Sequence, residues 1–201
     1  MPAWKTLQPN NGSILITDGV TLAGVPGTTP AAGSVLIQEA QFGPFVRTTF
    51  TLNKARMTVT DGAASGSHGT LKLYTLPQAA VSFLGARQDY TAFAEGAALT
   101  GAAGDAVFEI GVGTTAISAA ADGTLGNGVN ENVGQAVSVT LSGGTGTGTA
   151  VDGAKTTALN GTGTALTLNL NWSGTAATID ANSTIDVTGT ISVVWVHMGD
   201  D

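Results

Sequence analysis

The stretch STIDVTGTISVVWVH, residues 183–197, decides how the rest of the chain is read. Ile185, Val187, Ile191, Val193 and Trp195 take odd positions, with Gly189 in the same register, while Asp186, Thr188, Thr190 and Ser192 take even ones. Successive side chains of a strand point to opposite faces. A period of two therefore predicts one long strand with a buried odd face. At ~3.3 Å per residue it runs roughly 50 Å, beyond the ordinary strand length. Gly189 sits at its middle, where a strand can bend. After Ser192 the pattern changes: Val194 and Val196 put apolar groups on the formerly polar face. That end is expected to be covered on both sides.

A second long strand is predicted over 45–60. Val46, Thr48, Phe50 and Leu52 share one parity, and Ala55, Met57 and Val59 share the other. The switch at Asn53-Lys54 predicts an extra residue in the strand. Shorter strands are expected at 14–17 and 20–22 around a hairpin signal at Asp18-Gly19, and at 35–38, 70–76 and 81–93, the last interrupted at Gly85. Further strands are expected at 107–112, continuing through 114–121, at 137–141 and at 166–172. Residues 122–134 read as a long exposed loop, and the GGTGTGT run at 143–149 as a flexible linker. No fixed repeat period points to a solenoid. The expected fold class is all-β: a two-sheet antiparallel jelly-roll-like sandwich with an extended N-terminal arm. The arm, with Pro2, Pro9, Pro26 and Pro30, is assigned to residues 1–32, and the sandwich to 33–201.

Composition narrows the function. Only 10% of the 201 residues are charged, against roughly 25% in an average soluble protein. Seven Lys and Arg are too few to blunt sheet edges in the usual way. The edges must close on themselves or be covered by another copy, and a surface of low charge can be buried without stranding ions. With a net charge of −7 and no basic cluster, nucleic acid is excluded as a direct partner. There is no Cys, hence no disulfide or thiolate metal site. No apolar run approaches the ~20 residues of a membrane-spanning helix, and the polar start MPAWKTLQPNN is not a secretory signal, so no membrane partner is expected.

Catalytic chemistry finds no pattern. His68 lies near Ser65 and Ser67 in a Gly/Ser loop, without the flanking pattern of a nucleophile. His197 ends the last strand. Two carboxylates such as Glu39 and Glu109 would have to face one cleft to hydrolyse a glycoside, and nothing in their spacing requires it. Asp122, Asn127, Asn130, Glu131 and Asn132 are hard oxygen ligands, but their spacing is not that of a calcium loop, and turn chemistry accounts for them. Sequons at Asn11, Asn160, Asn171 and Asn182 matter only in a eukaryotic secretory route. The expectation is a protein that is not an enzyme, with no catalytic residues, no cofactor and no metal. Its candidate residues are interface positions: Trp4 and Leu7 near the free end, and Val194 and Val196 on the last strand.

Three stretches carry a resemblance to a known family: DGAASGSHGTLKLYTLPQ at 61–78, AVFEIGVGTT at 106–115 and TIDVTGTISVVWV at 184–196. With the irregular N-terminal arm, the chain resembles the jelly-roll decoration (cement) proteins of tailed-bacteriophage heads over most of residues 33–197. The resemblance implies a homotrimer on the outside of an icosahedral capsid near three-fold positions, assembled in the host cytoplasm. Its partners would be the major capsid protein and neighbouring copies of itself, clasped by the arm. Two other readings stand beside it: the receptor-binding head of a phage tail fibre, which would follow a slender repetitive shaft, and a carbohydrate-binding jelly-roll module, which would need an aromatic groove.

Overall fold

The computed structural model describes residues 4–6, 12–17, 22–62, 66–95, 105–118, 125, 129–142, 145–153, 158–174 and 181–199. Its strands follow the period-two pattern: β1 (Trp4–Thr6), β2 (Gly12–Thr17), β3 (Val25–Pro26), β4 (Gly33–Phe42), β5 (Phe45–Asp61), β6 (Ser67–Thr75), β7 (Ala80–Glu95), β8 (Asp105–Gly113), β9 (Gly134–Ser142), β10 (Thr145–Gly153), β11 (Ala158–Asn160), β12 (Thr167–Gly174) and β13 (Ser183–His197). Among the described residues there is no helix. The fold is all-β and jelly-roll-like, as the alternation predicts.

β13 lies at the centre of one layer, antiparallel to β5 on one side and to β7 on the other. Its odd positions are buried from Ser183 to Trp195, and its even positions are half-buried from Thr184 to Val196. Its two neighbours each carry an extra residue at the same level. On β5, Asn53 and Lys54 stand opposite Thr188 alone, and Lys54 adopts a φ of 49°. On β7, Thr91 is the residue left out between the pairs Thr188↔Ala92 and Gly189↔Tyr90. The bulge expected at Asn53-Lys54 and the bend expected at Gly189 are thus one feature, running across three strands. The interruption expected at Gly85 is a second irregularity, where Val194↔Gly85 is followed by Trp195↔Phe83.

From β5 the hydrogen-bonded order runs β13, β7, β10, β9, β8, β12 and β6. β6 then returns to β5 through Val59↔Gly69, Thr60↔His68 and Asp61↔Ser67. The two layers are stitched along both sides, so edge protection comes largely from closure rather than from charge. Between the layers, Phe50 meets Tyr74 with ring centroids 6.0 Å apart, and Phe93 meets Phe108 at 5.8 Å. Both are edge-on contacts of the kind aromatic quadrupoles favour. Trp172 and Trp195 are fully buried in the same core.

The N-terminal segment serves both remaining edges. β2 adds to β4 in parallel register from Gly12↔Gly33 to Ile16↔Ile37, and β1 adds to β2. β3 adds to β6, and beyond it the Gly27 and Thr28 amides donate to the Leu73 and Lys72 carbonyls at 2.9 and 2.8 Å. The strand expected at 14–17 is present but pairs with β4 rather than in a hairpin, and Leu22 is not in a strand. The turn at Asp18-Gly19 lies outside the described residues.

Two further expectations are overturned. Residues 145–149 of the GGTGTGT run are not a linker: they open β10, which pairs with β7 from Thr145↔Ala94 onward. A ladder needs backbone amides and carbonyls, which glycine supplies as well as any residue, and β7 presents a free row of them. Residues 114–118 do not continue the sheet. They leave β8 and cross the outer face of β12, where Asn171 is fully buried. The Asn171 side chain donates to the Thr115 and Asn130 carbonyls (2.9 and 2.8 Å) and accepts from the Ile117 amide and the Thr70 hydroxyl (3.1 and 2.9 Å). Every hydrogen-bonding position of the amide is used.

The outer face of β5 and β13 is a field of small hydroxyl residues with one ion pair, Arg56 to Asp186, closed through two nitrogens at 2.7 and 2.8 Å. The Arg56 side chain is 40% exposed. Arg56→Met is therefore expected to cost less than about 1 kcal/mol in a denaturant titration; a larger loss would mean that the pair is shielded from water.

Candidate interaction surface

The expected interface residues divide. β1 places Trp4 opposite Thr17 at the outer edge of the sheet, and Leu7 lies outside the described residues. Val194 and Val196 lie on the even face of β13, half-buried, so the full cover expected over them is not supplied by the described chain. Register brings Val196 beside Phe45, and Phe45 beside Phe42. Phe42 is 67% exposed and Phe45 47%. Met198, 50% exposed, follows Val196 on the chain. The result is an apolar end to an otherwise Thr/Ser-rich face. Sequence reasoning missed the two phenylalanines. Phe45 carried a signal in its parity: it falls off the register of Val46, Thr48 and Phe50, all of which are buried.

Phe42 and Phe45 are joined by Gly43-Pro44. Gly43 has a φ of 61°, the sign that a type II′ hairpin requires at its first central residue. So tight a turn leaves both rings at the tip of a stiff two-strand ribbon. On the other side of that ribbon lies a cavity of about 460 Å³, bordered by Ala23, Gln41, Pro44, Pro77 and His197, with the buried Val46 and Trp195 beneath.

Behind the cavity wall a polar network ties the segment 22–28 to the body. The Trp195 indole N–H donates to the Thr48 hydroxyl (3.0 Å), and Thr48 donates to the Glu39 carboxylate (2.7 Å). The Gly24 amide donates to the Tyr74 hydroxyl (2.6 Å), and Tyr74 donates to the same carboxylate oxygen (2.8 Å). The Ala23 amide donates to the other Glu39 oxygen (2.6 Å). An indole N–H and a backbone N–H can only donate, so both hydroxyl hydrogens are directed at Glu39. Burial, reinforced by the neighbouring Glu39 carboxylate, holds the Tyr74 phenol well above the usual tyrosine range, while the Gly24 amide opposes the shift.

That arrangement has a pH consequence. Unfolded, the phenol ionises near pH 10, whereas folded it keeps its proton above that. The native state then binds more protons than the unfolded one, so stability falls as pH rises beyond about 10. Denaturation midpoints measured from about pH 8 to 11 should show this decline, and Tyr74→Phe should flatten it. Below that range the same variant is expected to cost about 1–3 kcal/mol, because Gly24 and Glu39 each lose a buried partner. An unchanged alkaline slope would remove Tyr74 from the account.

The catalytic candidates do not converge. Glu39 shares the inward parity of Val35 and Ile37 and is engaged as above, whereas Glu109 alternates with the buried Phe108 and Ile110 and accepts the Leu125 amide at 2.9 Å. His68 pairs across the ladder with Thr60 and Ser173, and its buried Nδ1 meets no partner among the described residues. Ser67 lies on the opposite parity, and Ser65 is outside the described residues. His197 is the exposed last residue of β13, as expected, and it borders the cavity. Of the loop oxygens, Glu131 accepts the Ala136 amide at 2.6 Å and Asn132 accepts the Thr114 amide at 2.9 Å. Asn130 donates to the Thr115 carbonyl. Asp122 and Asn127 lie outside the described residues. These groups fasten a loop layer: of the described residues in the loop expected to be exposed, Leu125 and Glu131 are buried, whereas Val129 is exposed. Among the described residues, no three His, Cys, Asp or Glu gather as a metal cage.

Models of known protein families, curated proteins and solved structures contain no match to this chain.

Proposed function

We propose that this chain is a structural subunit of a virus particle, a decoration or cement protein that binds the outside of a tailed-phage capsid as a homotrimer and stabilises the shell. The observation that carries the reading is the apolar end of the sheet face, where Phe42, Phe45, Val194, Val196 and Met198 lie in a chain of only 10% charged residues. A protein that stabilises a shell by binding it needs area that can be dried cheaply, and it acts by linkage rather than by chemistry. The acidic body, with its net charge of −7, is suited to solvent and not to packaged nucleic acid.

Light scattering on the purified protein is expected to give three copies of the 19.9 kDa chain, about 60 kDa. The protein should co-sediment with empty heads of the phage that encodes it and raise their disruption temperature. Binding to surface glycans without binding to heads would replace this reading with that of a receptor-binding fibre head.

A further inference from the structure

We propose that the apolar end of the outer face takes a carboxylate: Arg47, with the Gln38 side chain beside it, binds one acidic side chain of the shell's coat subunit, while Phe42, Phe45, Val194 and Val196 cover the apolar groups around that acid. The inference rests on the shell-binding reading above and names the chemistry of the partner at that surface. Register places Arg47 within the patch. It pairs with Ala40 on β4 and with Val194 on β13, and it shares their face with Phe45, two residues before it. Phe45 in turn pairs with Phe42 on one side and Val196 on the other. Arg47 and Gln38 are both exposed. On the same face, Arg56 is closed by Asp186, and Arg87 lies 3.5 Å from Asp89. Arg47 has no carboxylate partner among the described residues.

Space and charge fit that occupant. Beside Arg47 the surface holds a depression of about 220 Å³, bordered by Gln38, Glu39, Ala40, Arg47 and Thr49. It is smaller than the ~300–1,000 Å³ of sites that enclose a whole organic ligand, and it suits one side chain. The guanidinium offers a planar fork of N–H donors matched to a carboxylate, and a glutamine amide adds two more. Glu39 stands on the inward parity opposite Thr48, and its oxygens are taken up by the Ala23 amide and the Thr48 and Tyr74 hydroxyls. On the outer face, the charge nearest an incoming acid is then Arg47. The rest of the chain limits what the partner is. A body of net charge −7 repels a surface dense in acid, and most of all a nucleic-acid duplex with one charge per ~1.7 Å. What remains is an apolar surface carrying an isolated Asp or Glu. Interface centres have this make-up: aromatic residues and arginine are enriched there and hold most of the binding energy, while other charges are depleted.

The test is co-sedimentation of the full chain with empty heads of the phage that encodes it, at low and at high salt. Arg47→Gln and Arg87→Gln remove the same single charge from the same face, one inside the apolar patch and one outside it. Arg47→Gln is expected to weaken binding about tenfold or more and to flatten its salt dependence, whereas Arg87→Gln should stay within about twofold of the parent. Arg47→Lys, which keeps the charge but not the fork, should fall between them. Both glutamine variants should melt with the parent, since both side chains are exposed. If Arg47→Gln melts lower, Arg47→Lys replaces it, and its binding must still fall. A parent that binds heads no better than Arg47→Gln overturns the carboxylate contact and leaves the shell reading standing. Equal losses from both glutamine variants mean that only overall charge counts, and overturn it too. Heads that bind no form of the protein overturn the shell reading and this contact with it.

Discussion

Gly189→Val is expected to cost about 3 kcal/mol or more and to lower the melting temperature by about 6–12 °C, if it folds at all. Gly189 stands where β13 bends and where β5 and β7 each accommodate an extra residue. A Cβ there would collide with the Asp89 carbonyl oxygen and lie 2.8 Å from the Tyr90 Cα. Both obstacles are backbone, held in the ladder between β7 and β13. Neither can swing aside as a side chain could, so relief requires breaking ladder hydrogen bonds on a central strand. Gly163→Ala is the control: nothing lies within 4 Å of its added Cβ, and its effect should stay within about 0.5 kcal/mol. Thermal and denaturant melts of the two variants suffice. A Gly189 variant that melts with the parent would show that the layer is not pinned at its bend.

Asn171→Leu should cost about 3–5 kcal/mol despite its nearly equal volume. The amide is fully buried and joins β6, residues 115–117 and Asn130 to β12. Leucine would strand the Ile117 amide and the Asn130 carbonyl, at about 1–3 kcal/mol for each group that water cannot reach, whereas the Thr115 carbonyl keeps the Asn130 side-chain amide. The two do not add fully, because part of the loop layer can lift and let water in. That lifting is a second readout: amide exchange at Ile117 should accelerate by orders of magnitude more than exchange at Ile191, in the centre of β13. Equal acceleration at both sites would mean that the layer is not a separate unit. The burial of Asn171 also bears on its sequon, since a folded chain cannot present this side chain to any glycosylating enzyme.

The candidate surface was half legible. Val194 and Val196 announce themselves by breaking the alternation of their own strand. Phe45 does so only by falling off the inward register of Val46, Thr48 and Phe50, and Phe42 does not, because an apolar residue beside a turn reads equally well as core or as surface. Only the pairing of β4 with β5, and of β5 with β13, places them together beside Val196. The Glu39 network was not legible at all. It joins residues far apart in sequence, and none of Glu39, Thr48, Tyr74 and Trp195 has a spacing that singles it out.

The sequence by itself determined the long alternating strands, the inward parity of β13 and β5, and the bulge at Asn53-Lys54, because side-chain alternation is local and a shift of one residue reverses it. Tertiary structure alone decided how the edges are closed, that residues 145–149 form a strand, and that the polar side of β12 is buried under a loop layer. Backbone ladders and amide side chains take whichever partners the fold brings to them, and no local pattern records that choice.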